Sequence, residues 1–490
     1  MSKQVKELKR AMAVGAAWMM ALRVSYRLIG LVSTVILARL LTPDDFGVAA
    51  IAMSVFALVN IFTQFGFETV LIQRKKFNVD DYNTAWTYNL LFGFASALVL
   101  FFSSEYIGQF YDNKDIEHVT IATSILFILH GLRNIGVVDF QKNLTFDKEF
   151  KLQIVPKFIS FFVIICLAFY LRNFWALVIG GIVLKAMEVV SSYLMHPFRP
   201  SFSLRKSKDL FGFSKWLFVN NVLAFIDTKS PELILGKLMS PHAVAIYSLA
   251  SEIGKLTTGE VIANLNRAIY PGYAKVSSDL QKLRDLYMDS VRVIALIAMP
   301  LGTGVALVSA YIVPIMLGDQ WLVAIEPVVY IALGGSVTAL KSNSNYVYLA
   351  LGKPQIGTAE LFIRGMIFVP LMVYLMDING VVGVAQSFLI TSILMFFVSI
   401  FILKAVLHIS VYTQLKLYVK PLVATLVMAL FVGMFTTQFA AGNQLISLLF
   451  AVVIGVVSYV GTVLLVWLIL GKADGFEKQA MDVCMARLRR

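Results

Sequence analysis

Arg23 and Arg27 sit four positions apart inside an otherwise apolar stretch near the start of the chain. On a helix that spacing puts both guanidinium groups on one face, one turn apart. Neither has an acidic residue three or four positions away. A cation held in hydrocarbon is expensive, so the pair must meet water, an anion or another helix. Guanidinium groups match phosphate oxygens in a bidentate fork, and capture of a phosphate-type anion is the chemistry this pair offers. Snorkelling towards the nearer membrane surface is the competing account. It suits Arg23 better than the deeper Arg27.

Other charges interrupt apolar segments further along. The cations are Arg133, Lys185, Lys229, Lys255, Arg267, Lys341 and Arg364; the acids are Glu188, Asp227, Glu232, Glu252, Glu260 and Glu360. Lys185 with Glu188, Glu252 with Lys255 and Glu360 with Arg364 have the spacing of neutralised pairs on one helix. That leaves the basic surplus chiefly on the first segment. Asp227, Glu232 and Glu260 are candidates for coupling transport to protons or sodium, because a carboxylate kept from water gains proton affinity. Bonding to a neighbouring helix is the alternative for each. Gln64, Asn220, Asn221 and Asn345, with Lys255, Lys341 and Arg364, are candidate cavity-lining groups for polar contact with a cargo. Helix-to-helix hydrogen bonding would use the same amides, Asn343 among them.

Enzyme chemistry is poorly served. Cys166 and Cys484 are the only cysteines and the five histidines are scattered, so no metal-ligand spacing or disulfide framework emerges. There is no Gly-rich nucleotide loop followed by Lys and Ser/Thr, and no His/Glu zinc pattern. The expectation is a protein with no cofactor, no metal and no catalytic centre.

Positioning these charges falls to long apolar helices. The 490 residues are 59% hydrophobic and only 14% charged, with a mean hydropathy of +0.79. A soluble chain carries nearer a quarter charged residues. Fourteen segments are long enough to cross a bilayer: 13–41, 46–68, 82–104, 117–138, 153–171, 174–195, 212–236, 243–268, 290–312, 325–349, 356–376, 380–403, 417–438 and 443–470. Runs such as Ala451 to Leu470 are apolar on every side, which is a helical pattern and not that of a barrel strand. The segments 212–236 and 243–268 are the most polar of the set. Asp139 to Lys151 mixes Phe140, Leu144, Phe146 and Phe150 with charges and predicts a helix lying along the interface.

Loop charge orients the chain. With a cytoplasmic N-terminus the inward loops collect Arg74, Lys75, Lys76, Lys142, Lys148, Arg199, Arg205 and Lys206, whereas the outward loops hold Asp44, Asp45, Asp112, Asp115 and Asp319. The positive-inside rule then places both termini in the cytoplasm and accounts for the net charge of +13 without nucleic acid. Tyr82, Trp86, Tyr106, Trp175 and Trp321 near segment ends read as an aromatic belt.

An internal duplication is visible at LARLLTPDDFGVA, Leu37 to Ala49, and LGKLMSPHAVAIY, Leu235 to Tyr247. Pro43 aligns with Pro241, Leu40 with Leu238 and Arg39 with Lys237 at a single offset, and repeated helical bundles are common in secondary transporters. The expected organisation is a tail (1–12), a six-helix lobe (13–195), a basic linker (196–211), a second six-helix lobe (212–403), a linker and two additional helices (404–470) and a tail (471–490). A monomer suffices, since the path lies within one chain.

The segment ARLLTPDDFGVAAIAMSVFALVNIFTQFG, Ala38 to Gly66, resembles the signature of the polysaccharide biosynthesis or oligosaccharide flippase proteins, within the multidrug/oligosaccharidyl-lipid/polysaccharide exporter superfamily. FQKNLTFDKEF at Phe140 to Phe150, FGFSKWLFVNN at Phe211 to Asn221, IYSLASEIGKL at Ile246 to Leu256, NRAIYPGYAKVSSD at Asn266 to Asp279 and LGDQW at Leu317 to Trp321 extend the likeness. It is nearest to the branch of colanic acid and teichuronic acid exporters. The resemblance implies two six-helix lobes and two extra helices around a central cavity in the bacterial inner membrane. It also implies a flippase moving a glycan on undecaprenyl pyrophosphate to the outer leaflet. Membrane lipids are implied as partners, with glycosyltransferases and a polysaccharide polymerase as candidates. Glu232 stands where the family commonly has aspartate, Thr258 where it often has proline, and Ala245 where it often has glycine. Rival functions are a cation-coupled multidrug exporter, a peptidoglycan-precursor flippase and a non-transporting scaffold for polysaccharide assembly.

Overall fold

A computed structural model of the chain describes residues 3–63, 67–73, 78–206, 214–438 and 442–469. Every regular element among them is a helix. In order these are α1 (Lys3–Leu40), α2 (Pro43–Asn60), α3 (Phe67–Gln73), α4 (Val79–Tyr111), α5 (Lys114–Leu132), α6 (Val138–Lys142), α7 (Phe146–Leu171) and α8 (Trp175–Met195). They continue as α9 (Ser214–Leu238), α10 (Pro241–Gly254), α11 (Leu256–Val276), α12 (Leu280–Met316), α13 (Ile325–Ala350), α14 (Pro354–Leu407), α15 (Val411–Gln438) and α16 (Gln444–Ile469). Eleven helical segments among the described residues are long and apolar enough to cross a membrane. The chain is therefore an all-α, multi-pass membrane protein.

Local chemistry sets the boundaries. Pro43 cannot extend α1, so it opens α2. Thr42 caps that helix: its Oγ1 accepts from the Asp45 amide at 3.3 Å, and the Asp45 carboxylate accepts from the Thr42 amide at 3.0 Å. Asp45 also accepts from the Phe174 amide at 2.9 Å, which ties the start of α2 to the start of α8. Asn113 caps α5 in the same way, accepting from the Asp115 amide at 2.8 Å. The 54 residues of α14 are two helical runs meeting at Gly380, whose φ of 57° suits glycine. This is the division between 356–376 and 380–403 that hydropathy predicts.

Two expectations are revised. The segment 243–268 does not form one helix: α10 ends at Gly254, and Lys255 separates it from α11. Gly254 is pressed against Ile331 and Ala332 of α13, which leaves no room for a side chain at the break. The interfacial helix is likewise reduced to the five residues of α6. A turn with Leu144 at positive φ follows, and Phe146 and Phe150 belong to α7. There Phe150 packs on Trp18 of α1 with ring centroids 5.2 Å apart, and Phe146 fills the space beside Gly15. Helix packing consumes the aromatics that amphipathic reasoning assigned to lipid.

The chain forms two compact units, Met1–Ala245 and Ile246–Arg490. In the first, α4 pairs with α5 and α7 with α8. Gly93 and Gly131 allow close backbone approach in the α4–α5 pair, and Ser160 donates to the Gly180 carbonyl at 2.8 Å in the α7–α8 pair. Helix α9 packs against α2 within this unit, with Gly236 against Ile51. Gly47 of α2 lies against the backbone of Pro241, so the two duplicated Pro turns meet. The described part of the basic linker is also docked: the Ser201 amide donates to Asn83 at 2.9 Å and the Ser203 amide to Thr87 at 3.0 Å, both on α4. In the second unit α12, α13 and α14 pack in sequence. Helices α15 and α16 pack against α12, where Tyr459 donates to the Leu296 carbonyl at 2.8 Å.

Candidate functional site

In the first unit the α1 face carrying Arg23, Tyr26 and Arg27 is its polar face. Arg23 is exposed and Arg27 half-buried, with the Arg27 Nε atom enclosed and making no hydrogen bond. Tyr26 lies between them in sequence, and its ring carries the Lys157 ammonium of α7 at 4.8 Å from the centroid. A cation of α7 thus packs on the residue that lies between the two arginines in sequence. Glu188, whose charge reaches Tyr26, holds Lys185 at 2.7 Å on α8, and Glu68 of α3 holds Arg133 at 3.4 Å. His130 of α5 is close enough to Lys185, Glu68, Arg133 and Glu188 to feel the charge of each. The pairing of Lys185 with Glu188 follows the predicted spacing. On α1 the enclosed Nε of Arg27 is the donor that the protein does not use.

Helix α9 presents a different arrangement. Glu232 is buried, accepts a hydrogen bond from Ser54 of α2 and binds Lys229 at 2.7 Å. Its carboxylate is satisfied in this state. Asp227, Asn220 and Asn221 are half-buried on the same helix, one to three turns earlier. Gln64 lies outside the described residues, as does the side chain of Glu260.

The second unit gathers three of the remaining candidates. Lys341 of α13 donates to Glu360 of α14 at 3.4 Å, and Tyr348 donates to the other oxygen of the same carboxylate at 2.9 Å. Arg364, one turn beyond Glu360, places its guanidinium 5.3 Å from the centre of the Phe388 ring. Lys255, at the break between α10 and α11, approaches the same ring at 4.5 Å. Phe388 therefore gathers two cations in a buried setting. Asn343 is fully buried and donates to Tyr273 of α11 at 2.7 Å, whereas Asn345 is exposed. Within the second unit Lys255 and Arg364 thus share the Phe388 ring, and Lys341 holds Glu360 one turn before Arg364; Arg23 and Arg27 belong to α1 of the first unit. Sequence reasoning overlooked Tyr26, Lys157, His130 and Phe388. Only Tyr26 left a signal, its place between two arginines on one helical face.

Among the described residues no group of three or more His, Cys, Asp and Glu side chains converges on a possible metal position. A family model described as "Polysaccharide biosynthesis protein" matches residues 36–326. The lipopolysaccharide biosynthesis protein WzxC of Escherichia coli (strain K12) is 24% identical over 399 residues, covering 79% of this chain and 80% of that protein. The teichuronic acid biosynthesis protein TuaB of Bacillus subtilis (strain 168) is 22% identical over 424 residues, covering 85% and 87%. Among solved structures, the lipid II flippase MurJ in an inward closed conformation superposes with a TM-score of 0.75 at 16% identity. The match covers 92% of this chain and 99% of that one. The two proteins share a fold.

Proposed function

We propose that this chain, which belongs to the polysaccharide biosynthesis protein family, carries a lipid-linked glycan from the cytoplasmic to the outer leaflet of the bacterial inner membrane by alternating access. The carrier is undecaprenyl pyrophosphate. The observation that supports this most directly is the charge balance on α1. Arg23 and Arg27 stand either side of Tyr26 in sequence, Lys157 packs on the Tyr26 ring, and Glu188, whose charge reaches Tyr26, already holds Lys185. Such a surface favours a pyrophosphate and opposes a cationic drug. The two relatives, named for lipopolysaccharide and teichuronic acid biosynthesis, point to glycan as the load.

In this reading fourteen spans form lobes at 13–195 and 212–403 with two further helices at 404–470, and both termini are cytoplasmic. The protein acts as a monomer, alongside glycosyltransferases and a polymerase. Lys255, Lys341, Arg364, Gln64, Asn220, Asn221 and Asn345 are the cavity candidates. Asp227, Glu232 and Glu260 are the coupling candidates, and Glu232 would have to give up Lys229 to take a driving cation.

The test is a proteoliposome assay that follows a labelled undecaprenyl-pyrophosphate oligosaccharide across the bilayer. Arg27→Ala, at unchanged membrane abundance, is expected to abolish transport; normal flipping by that variant removes Arg27 from the site. A labelled peptidoglycan precursor and a cationic dye serve as rival cargoes. Movement of none of the three by the unaltered protein would favour a scaffold.

A further inference from the structure

The segment that follows α8 is fixed largely by its own main chain. Residues 196–204 form neither helix nor strand. The Ser201 amide donates to Asn83 at 2.9 Å, the Ser203 amide to Thr87 at 3.0 Å and the Lys206 amide to Thr84 at 3.4 Å. All three acceptors are buried side chains of α4. At the root of the segment Asn134 donates to the Phe198 carbonyl at 2.7 Å, and Gly136 lies so close to His196 and Phe198 that no Cβ would fit. Arg199 donates back to the carbonyls of His196 and Phe198 at 2.7 and 2.9 Å. Residues 196–206 are thus a strap laid along the start of α4.

Docking through the backbone leaves the strap an apolar and basic outer surface. Phe202 meets the Trp86 ring at 5.4 Å yet is 72% exposed, and Leu204, two residues on, is 52% exposed. Arg199 and Arg205 are exposed as well. Asp80 lies 3.8 Å from Arg205, while Asp139 meets His196 at 3.4 Å and accepts from Tyr82 at 2.5 Å. Arg199, Arg205 and Lys206 outnumber these two acids.

Helix length places this surface. The 21 residues of α8 are apolar enough to cross a membrane. At about 1.5 Å per residue they extend roughly 32 Å, which matches the ~30 Å hydrocarbon layer. A helix of that length has no residues to spare, so the strap begins where the hydrocarbon ends. At that level an aromatic ring and a leucine enter the boundary between headgroups and acyl chains, and cations gain from anionic headgroups. A free phosphate would match the cations but would leave Phe202 and Leu204 in water.

We propose that the strap is a binding surface for anionic phospholipid. Phe202 and Leu204 enter the lipid boundary, and Arg199, Arg205 and Lys206 meet lipid phosphates. This surface concerns resident lipid and not cargo, so it stands apart from the transport reading.

The purified full chain in detergent micelles is titrated with pyrene-labelled phosphatidylglycerol and phosphatidylcholine, with energy transfer from tryptophan as the signal. The unaltered protein is expected to bind phosphatidylglycerol about tenfold more tightly, the scale of two or three partly screened cations. R205Q/K206Q is expected to lose most of that preference, and R205K/K206R, which keeps the charge, to retain it. F202S/L204S is expected to weaken both lipids by a similar factor. K282Q/R292Q removes two exposed cations of the second unit and is expected to change nothing. Equal loss in K282Q/R292Q and R205Q/K206Q overturns the site, because the preference is then a general effect of charge. No preference in the unaltered protein overturns it too, as does loss of preference in R205K/K206R, which marks a structural role. Unchanged lipid binding by F202S/L204S refutes the insertion. Displacement of phosphatidylglycerol by inorganic phosphate or by a poly-glutamate peptide overturns lipid as the occupant.

Discussion

Glu360 offers the sharpest test of how charge is held in the second unit. Its buried carboxylate joins α14 to α13 through Lys341 at 3.4 Å and Tyr348 at 2.9 Å. At that separation the attraction between Lys341 and Glu360 is worth about 5 kcal/mol for an effective dielectric near 20. Desolvation of both groups opposes it, so the net value of the intact pair is small. Removing one partner is another matter, because the desolvation cost of the survivor stays without the attraction. Glu360→Gln retains size and an acceptor for Tyr348 but takes the opposing charge from Lys341, and about 3 kcal/mol of destabilisation is expected. Lys341→Met leaves the carboxylate with Tyr348 but without its countercharge, with a similar cost. The double variant strands nothing and should fall within about 1 kcal/mol of the unaltered protein, giving a coupling of several kcal/mol. Unfolding the purified chain by SDS in mixed micelles would measure all four corners of the cycle. Single costs that simply add, or single variants each below about 1 kcal/mol, would show that no anion is held at Glu360.

Two further perturbations probe the first unit. Gly47→Ala places a Cβ into the carbonyl of Pro241, a backbone atom with no rotamer to escape through; about 1–3 kcal/mol of destabilisation of this packing is expected from melting of the purified chain, and an unchanged melt would refute the contact. His196 follows the end of α8, and its pKa is lowered from the ordinary 6.5 because burial outweighs the opposing pull of Asp139. Its Nδ1 accepts from the Phe198 amide at 3.2 Å, which requires that nitrogen to be unprotonated. The neutral ring is thus the form the fold prefers: its contribution is complete above pH 6.5 and is lost as pH falls through the depressed folded value. Limited proteolysis of the docked segment after α8 should accelerate on acidification below pH 6.5, and His196→Asn should flatten that dependence; a pH-independent rate in the unaltered chain would count against it.

Much of the helix order was legible because bilayer thickness sets segment length and because Gly and Pro carry their conformational meaning locally. The Thr42-Pro43 turn and the break between 376 and 380 both depend on neighbours a few residues away. The break after Gly254 was not legible, since no proline marks it and its cause is the closeness of Ile331 and Ala332 on a helix some eighty residues later. The same distinction governs the charges. Spacing paired Lys185 with Glu188, as the structure has them. It gave no hint that Lys341 reaches Glu360 across helices, or that Arg364 and Lys255 converge on Phe388. A rule for residues on one helix can identify which side chains share a face, but what that face meets is decided by another helix. On a water-facing helix this matters less, because water can satisfy an unpaired charge; at bilayer depth the partner must come from the protein, from a water-filled cavity or from the cargo. That is why the arginines of α1 remain informative. Lys157 packs on Tyr26, so packing sets a further cation against the residue between the two arginines on which the proposed anion site rests.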